Sequence, residues 1–98
     1  MGASFISRRI DSISKDEVKR QFNEIWEEAR DYYGSNPYNG SFSTFQKSVT
    51  FVYNTFMSER EAEDYIADNQ EKWGPAMAVI VKEGNNAPYT LIGGWAAE

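Results

Sequence analysis

The feature that most constrains the fold is a long uncharged segment between two acidic segments. Residues 32–58 contain one charged residue, Lys47, and eight of the fifteen aromatic residues of the chain. Twelve of the fifteen acidic residues lie in the flanking segments, six in residues 16–31 and six in residues 59–71. A chain of 98 residues has room for one core. We therefore expect a single domain, residues 1–98, with charged outer helix faces and an apolar, aromatic centre.

Two segments have the pattern of capped amphipathic helices. Residues 14–33 begin with a serine followed three residues later by a glutamate, which is a capping box, and the same pattern opens residues 58–71. Apolar residues then recur at intervals of three and four, which places them on one helix face. Gly34 follows the first segment at the position where a left-handed cap ends a helix.

The other segments predict strands. They are rich in β-branched and aromatic residues and are separated by turn residues. These segments are residues 4–10, 41–46, 49–54, 76–82 and 89–95. The order β-α-β-β-α-β-β predicts an α+β fold with two helices packed on one face of a mainly antiparallel sheet, loosely ferredoxin-like.

The composition limits the chemistry of any site. The chain has no cysteine and no histidine, so thiol nucleophiles, thiolate metal sites and the commonest general base are excluded. Carboxylates at helical spacing, such as Glu24 with Glu28 or Asp64 with Asp68, could hold a hard divalent ion, but charged residues opposite an apolar stripe are expected on any solvated helix face. We expect a protein that is not an enzyme, with no catalytic residue, no metal and no cofactor.

The charge balance also limits the partners. The net charge is −5 and the sequence pI is about 4.7, which disfavours direct binding to nucleic acid. An acidic protein can instead imitate nucleic acid and occupy a basic groove on another protein. The N-terminus has no apolar segment of the length that a signal peptide needs, and no apolar run approaches the length of a membrane span, so we expect a soluble cytoplasmic protein with no membrane partner.

The loop of residues 34–44 is the strongest candidate binding segment. It combines glycine turns, whose amides can approach an anion, with hydroxyl groups that can donate to phosphate oxygens. It matches neither the P-loop nor the dinucleotide fingerprint, and a loop that only connects two elements is the alternative. The candidate ligand-binding residues here are Tyr38, Asn39, Gly40, Ser41, Ser43 and Thr44.

Three further residues are candidates for the same site. Trp95 follows two glycines in the last predicted strand and could stack on a base, although it could equally cover the core beside a bulge. Arg8 and Arg9 could reach a phosphate if the first strand borders the pocket, and the alternative is that they are ordinary surface charges. The aromatic residues between Tyr32 and Phe56 could likewise form either a pocket or the core.

Residues 34–97 resemble small bacteriophage and prophage accessory proteins. The motifs that carry the resemblance are Asn36-Pro37-Tyr38-Asn39-Gly40-Ser41-Phe42-Ser43-Thr44, Ser58-x-x-Glu61-Ala62-x-x-Tyr65-Ile66, Lys72-Trp73-Gly74-Pro75-Ala76-x-Ala78-Val79 and Leu91-Ile92-Gly93-Gly94-Trp95-Ala96-Ala97. The resemblance implies a setting, the cytoplasm of an infected host cell, and assigns no functional residue. Small acidic proteins of this kind often disarm host defences.

Three functions follow as hypotheses. The first is a counter-defence binding protein that sequesters a small nucleotide-like signal, with aromatic rings on the base and amides or an arginine on the phosphates. The second is an acidic inhibitor of a host defence nuclease, of the anti-CRISPR or DNA-mimic type. The third is a small structural or assembly protein, which would form a homo-oligomer through its aromatic segment.

Overall fold

The computed structural model describes residues 2–34, 36 and 38–98. It contains four strands, two α-helices and one short 3-10 turn, which confirms the α+β class. The elements are β1 (Ala3–Ile10), α1 (Lys15–Tyr33), the 3-10 turn (Phe42–Thr44), β2 (Gln46–Phe56), α2 (Glu59–Asn69), β3 (Pro75–Val81) and β4 (Tyr89–Ala97). Ser35 and Pro37, which belong to the loop that the sequence singles out, lie outside the described residues, as does Met1.

The strands form one mixed sheet in the order β1-β4-β3-β2. β4 pairs antiparallel with both β1 and β3, whereas β2 pairs parallel with β3. The prediction of a mainly antiparallel sheet is confirmed. The one parallel pair follows from the connection, because α2 carries the chain back between β2 and β3.

The two helices pack on opposite faces of the sheet, which corrects the expectation of a single helical face. Ala76 and Ala78 of β3 belong to a buried cluster with Val18 and Phe22 of α1. The β3 residues that point to the other face are Met77, Val79 and Val81. They belong to a second buried cluster, which contains Ala62 and Ile66 of α2. The unbroken apolar sequence of β3 reflects this burial on both faces.

The segment before α2 contains one strand where the sequence predicts two. Residues 42–44 form the 3-10 turn, and a single strand follows from Gln46 to Phe56. The hydroxyl of Thr44 donates to the carbonyl of Ser41 at 2.8 Å, and the hydroxyl of Ser41 accepts from the amide of Ser43 at 3.3 Å. Such local bonds give the backbone an alternative to strand pairing.

The predicted helix starts and the predicted end of α1 agree with the structure, whereas α2 ends at Asn69, two residues before its predicted end. The hydroxyl of Ser14 accepts from the amide of Glu17 at 3.4 Å, and that of Ser58 accepts from the amide of Glu61 at 3.2 Å. Gly34 ends α1 with φ of 67°, a conformation that glycine adopts without a steric cost. Across the described residues, neither helix is long and apolar enough to cross a membrane.

Candidate functional site

A cavity of about 190 Å³ lies where the end of α1 meets the loop before β2 and the turn after α2. It draws residues from three separate parts of the chain. Its lining residues are Arg30, Gly34, Asn36, Asn39, Ser43, Thr44 and Trp73. Asn39, Ser43 and Thr44 are candidates from the sequence, and Tyr38 borders the cavity through an edge-on contact with Trp73, with ring centroids 5.4 Å apart.

Trp73 is the most unusual residue of this site. Its φ is 72°, and it is the one non-glycine residue with a positive φ in the described part of the chain. A residue with a Cβ atom pays about 1–2 kcal/mol for this left-handed conformation. Trp73 is nevertheless 42% exposed. Residues with strained backbone cluster at active sites and ligand-binding sites.

The loop side chains form a closed hydrogen-bond network. The side-chain NH₂ group of Asn39 donates to the hydroxyl of Ser43 at 3.0 Å. The side-chain oxygen of Asn39 accepts from the backbone N–H of Ser41 at 2.9 Å and from the Ser41 hydroxyl. The Ser41 and Ser43 hydroxyl oxygens are 3.0 Å apart. Thr44 donates to the Ser41 carbonyl and accepts from the amide of Ala97 at 3.3 Å. Because each of these hydroxyl groups already has a hydrogen-bond acceptor within the loop, the network accounts for the loop conformation without a ligand.

The donors available in the cavity include the side chains of Arg30 and Asn36. Arg30 is exposed and forms no ion pair with any described residue, and its guanidinium lies 5.6 Å from the ring centre of Trp26. The side-chain oxygen of Asn36 accepts from the amide of Tyr38 at 3.0 Å, which leaves its NH₂ group directed to other partners. A guanidinium beside an amide can bind a phosphate or a carboxylate.

A second, more open groove lies on the other side of the last turns of α1. Its volume is about 540 Å³. Arg8 and Ser41, both candidates from the sequence, line it, as do two exposed tyrosines. The full lining is Ser7, Arg8, Ile25, Glu28, Ala29, Tyr32, Tyr33, Ser41 and Phe42. The Ser41–Ser43 hydroxyl pair therefore stands between this groove and the smaller cavity.

Arg9 lies on the opposite face of the sheet from Arg8. Its guanidinium is 2.7 Å from the carboxylate of Asp11 and 4.0 Å from the ring centre of Tyr89, and the hydrogen bond to Asp11 raises the pKa of Arg9. Tyr89 belongs to the cluster beneath α2. Neighbouring residues of a strand point to opposite faces, so β1 can present only one of its two arginines to the loop.

Trp95 is also placed on the α2 face, away from the loop. Its indole N–H donates to the carbonyl of Ala67 at 2.8 Å, and its ring contacts Phe5 edge-on at 5.6 Å. The two preceding glycines allow a close approach of the chain itself. A Cβ atom on Gly93 would lie 2.4 Å from the backbone oxygen of Ile6, and one on Gly94 would lie 2.3 Å from the side chain of Gln70.

Gly40 connects the loop before β2 to β4. It has a φ of 70°, and its amide donates to the carbonyl of Ala97 at 2.7 Å, which fixes the loop to the end of β4. Arg30 and Trp73 were not predicted as site residues, because nothing in the sequence indicates that the turn after α2 meets the end of α1.

The carboxylates of the two helices are in different electrostatic environments. Arg20 of α1 lies 2.6 Å from the carboxylates of both Glu17 and Glu24, and its hydrogen bonds lower the pKa of Glu17. Lys47 forms an ion pair with Glu27 of the same helix. No ion pair involves α2 among the described residues, and no three of their carboxylates converge as metal ligands do.

No protein-family model, curated protein or solved structure matches this chain.

Proposed function

We propose that the protein is a non-enzymatic binding protein that sequesters a small nucleotide-like ligand in the cavity between Arg30 and Trp73. The observation that carries the proposal is the strained backbone of Trp73, which holds an exposed indole beside a guanidinium that has no carboxylate partner among the described residues. Trp73 would stack on the base, with Tyr38 edge-on beside the indole, and Arg30 with Asn36 would bind a phosphate.

The size of the cavity limits how much of a ligand it can hold. Binding sites for whole drug-sized molecules have volumes of about 300–1,000 Å³, so 190 Å³ accommodates one ring system or one phosphate group. The rest of the ligand would lie across the loop. Stacking of one base on an aromatic side chain contributes about 1–3 kcal/mol, and a charge-assisted hydrogen bond from a guanidinium contributes about 1.5–3 kcal/mol.

The biological setting of this binding is part of the proposal. The resemblance of residues 34–97 to bacteriophage accessory proteins supports a role against host defences, in which the protein removes a nucleotide signal without altering it. The absence of cysteine and histidine from the sequence supports binding without catalysis, because no thiol or imidazole is present to act as nucleophile or base.

Isothermal titration calorimetry with a panel of mononucleotides, cyclic dinucleotides and ADP-ribose derivatives tests the proposal. We expect at least one compound to bind, and we expect Trp73→Ala and Arg30→Met each to weaken that binding tenfold or more. Arg60→Met is the matched control, because Arg60 lies on α2 at the opposite face. Absence of heat for every compound, with a folded protein by circular dichroism, would overturn the proposal. Equal weakening by Arg60→Met would overturn the assignment of the cavity.

The acidic surface of α2 favours a second candidate function, inhibition of a nuclease by imitation of nucleic acid. This helix carries one basic residue, Arg60, and no ion pair involves it within the described part of the chain. Its acidic residues are Glu59, Glu61, Glu63, Asp64 and Asp68. The carboxylates of α1 are less suited to this role, because three of them already form ion pairs with Arg20 or Lys47.

A DNA-cleavage assay with a purified CRISPR effector nuclease tests this second function. If α2 is the inhibitory surface, the double variant Asp64→Lys and Asp68→Lys should abolish inhibition, and the inhibition by the unaltered protein should weaken as salt concentration rises. The α1 double variant Glu24→Lys and Glu28→Lys is the matched control. Lack of inhibition by the unaltered protein, or equal loss of inhibition in both variants, would contradict the α2 assignment.

A further inference from the structure

We propose that a second copy of this chain pairs antiparallel with the outer edge of β1, about a two-fold axis at Ile6. This pairing would join the 540 Å³ groove that Arg8 lines to the same groove of the second copy, so that the two form one shared site. β1 is one of the two outer strands of the sheet, and β4 is its one strand partner in the described structure. An open strand edge offers unpaired N–H and C=O groups to another strand. This interaction is separate from the ligand cavity at Trp73.

The two open edges of the sheet differ in regularity. β1 pairs with β4 without interruption over all eight of its residues, from Ala3 to Ile10. β2 has two register shifts against β3, between Gln46 and Val49 and between Phe51 and Thr55. Irregularities of this kind bend an edge strand and protect it from further pairing. The regular edge of β1 is therefore the one that can extend the sheet.

The sequence of β1 suits pairing with itself about Ile6. Residues directly opposite in an antiparallel pair share a face, so a centre at Ile6 places Arg8 opposite Ser4 of the second copy and Arg9 opposite Ala3. Arg8 and Arg9 are the charged residues of β1, and this centre places the two arginine pairs at opposite ends of the interface. A centre at Ser7 would bring the arginines closer together and place them opposite Ile6 and Phe5.

The surface above β1 is also suited to a second copy. α1 packs against β2 and the 3-10 turn, so the β1 side of this face remains open as the 540 Å³ groove. Tyr32 and Tyr33 stand at its rim with 82% and 45% of their surface exposed. The groove contains one cation and one anion, Arg8 and Glu28, so two grooves can join without an excess of like charge.

Pairing would complete a site that one copy holds only in part. In a single copy the groove opens to solvent beyond β1. In the pair, the two α1 helices would lie antiparallel on the same face, with both β1 strands and both Arg8 side chains between them. The shared groove would then offer two guanidinium groups and two Glu28 carboxylates, related by the two-fold axis, to a ligand that carries both negative and positive charges.

The absence of cysteine from the sequence allows a direct test of the interface by single-cysteine crosslinking. In the proposed register two copies of Ile6→Cys face each other with Cα atoms about 4.5–5.5 Å apart, which permits a disulfide. Ser4→Cys and Arg8→Cys should crosslink with one another when mixed, and each should crosslink poorly with itself. Thr50→Cys, on the exposed part of β2, is the matched control at the other edge.

Light scattering of the unaltered protein gives an independent measurement. We expect a mass twice that of the 11.2 kDa chain and disulfide formation by Ile6→Cys under mild oxidation. A monomer at all concentrations, or crosslinking through Thr50→Cys in place of Ile6→Cys, would overturn the proposal. If Ile6→Cys fails to fold by circular dichroism, the mixture of Ser4→Cys and Arg8→Cys decides, because absence of a mixed disulfide would equally overturn it.

Discussion

The side-chain oxygen of Gln70 accepts a hydrogen bond from the backbone N–H of Trp95 at 2.7 Å. The NH₂ group of the same side chain donates to the carbonyl of Pro75 at 3.1 Å. Gln70 is 6% exposed and follows the last residue of α2. One buried amide therefore connects the end of this helix to the start of β3 and to β4.

Replacement of Gln70 should destabilise the protein more than replacement of its neighbour. Gln70→Leu leaves the Trp95 N–H and the Pro75 carbonyl without this partner, and we expect a loss of about 2–4 kcal/mol in the free energy of unfolding. Asn69→Ala is the control, because Asn69 is exposed and, among the described residues, its side chain bonds only to Tyr65 of its own helix. Urea denaturation of both variants measures the difference, and equal stabilities would show that the buried amide contributes little.

Gly93 is expected to tolerate no side chain. Gly93→Ala would place a Cβ atom 2.4 Å from the backbone oxygen of Ile6, and this contact can be relieved only by separating β1 from β4. We expect a loss of about 3 kcal/mol or more in unfolding free energy. Gly2→Ala, with no atom within 4 Å of the added carbon, should be nearly neutral. Thermal unfolding followed by circular dichroism compares the two, and a stable Gly93→Ala protein would disprove the close approach of the strands.

Tyr89 should make the stability of the protein depend on pH in the alkaline range. Burial, with a contribution from its hydrogen bond to Glu83, raises the pKa of Tyr89 from 10 to about 12. The neutral phenol is thus favoured in the folded state, so its contribution is complete below pH 10 and is lost as pH rises towards 12.

Denaturant midpoints measured below pH 10 and near pH 12 test this assignment. The decrease in stability between the two conditions should be smaller in Tyr89→Phe than in the unaltered protein. Tyr32→Phe is the control, because Tyr32 is 82% exposed, and it should retain the full decrease. Identical pH dependence of Tyr89→Phe and the unaltered protein would mean that Tyr89 ionises as readily in the folded as in the unfolded chain.

The backbone of Trp73 should reverse the usual order of stability between glycine and alanine. At a φ of 72° glycine avoids a cost of about 1–2 kcal/mol that alanine pays. We therefore expect Trp73→Gly to be more stable than Trp73→Ala by about 1 kcal/mol, and both to bind the proposed ligand weakly. Urea denaturation ranks the two variants. If the alanine variant were the more stable, the left-handed conformation would not be retained without the indole.

The parts of the fold that could be predicted from the sequence are those determined by local interactions. The helix starts at Ser14 and Ser58 depend on a serine hydroxyl that accepts from the backbone amide three residues later, and they are where the capping boxes indicate. The pairing of β1 with β4 joins residues at opposite ends of the chain, and no local pattern specifies it. The strand predicted at residues 41–46 is a turn because the hydroxyls of Ser41 and Thr44 bond to nearby backbone groups.

The part of the candidate site that could be predicted from the sequence is likewise the part formed by one local segment. The turn residues indicated the loop, and the structure brings Asn39, Ser43 and Thr44 to one cavity. Arg30 and Trp73 complete that cavity from distant segments, so their contribution depends on the path of the chain through α2 and β3. Strand alternation implies that either Arg8 or Arg9, and not both, could face the loop, but the sequence does not specify which.

The strand order has a consequence for synthesis on the ribosome. β1 is made first, yet its partner in the sheet is β4, which is made last. Until residues 89–97 leave the exit tunnel, the nascent chain holds an unpaired β1 while the β2-α2-β3 unit can already form. We therefore expect completion of the sheet to wait for β4, and β1 to be the segment that chaperones meet on the incomplete chain.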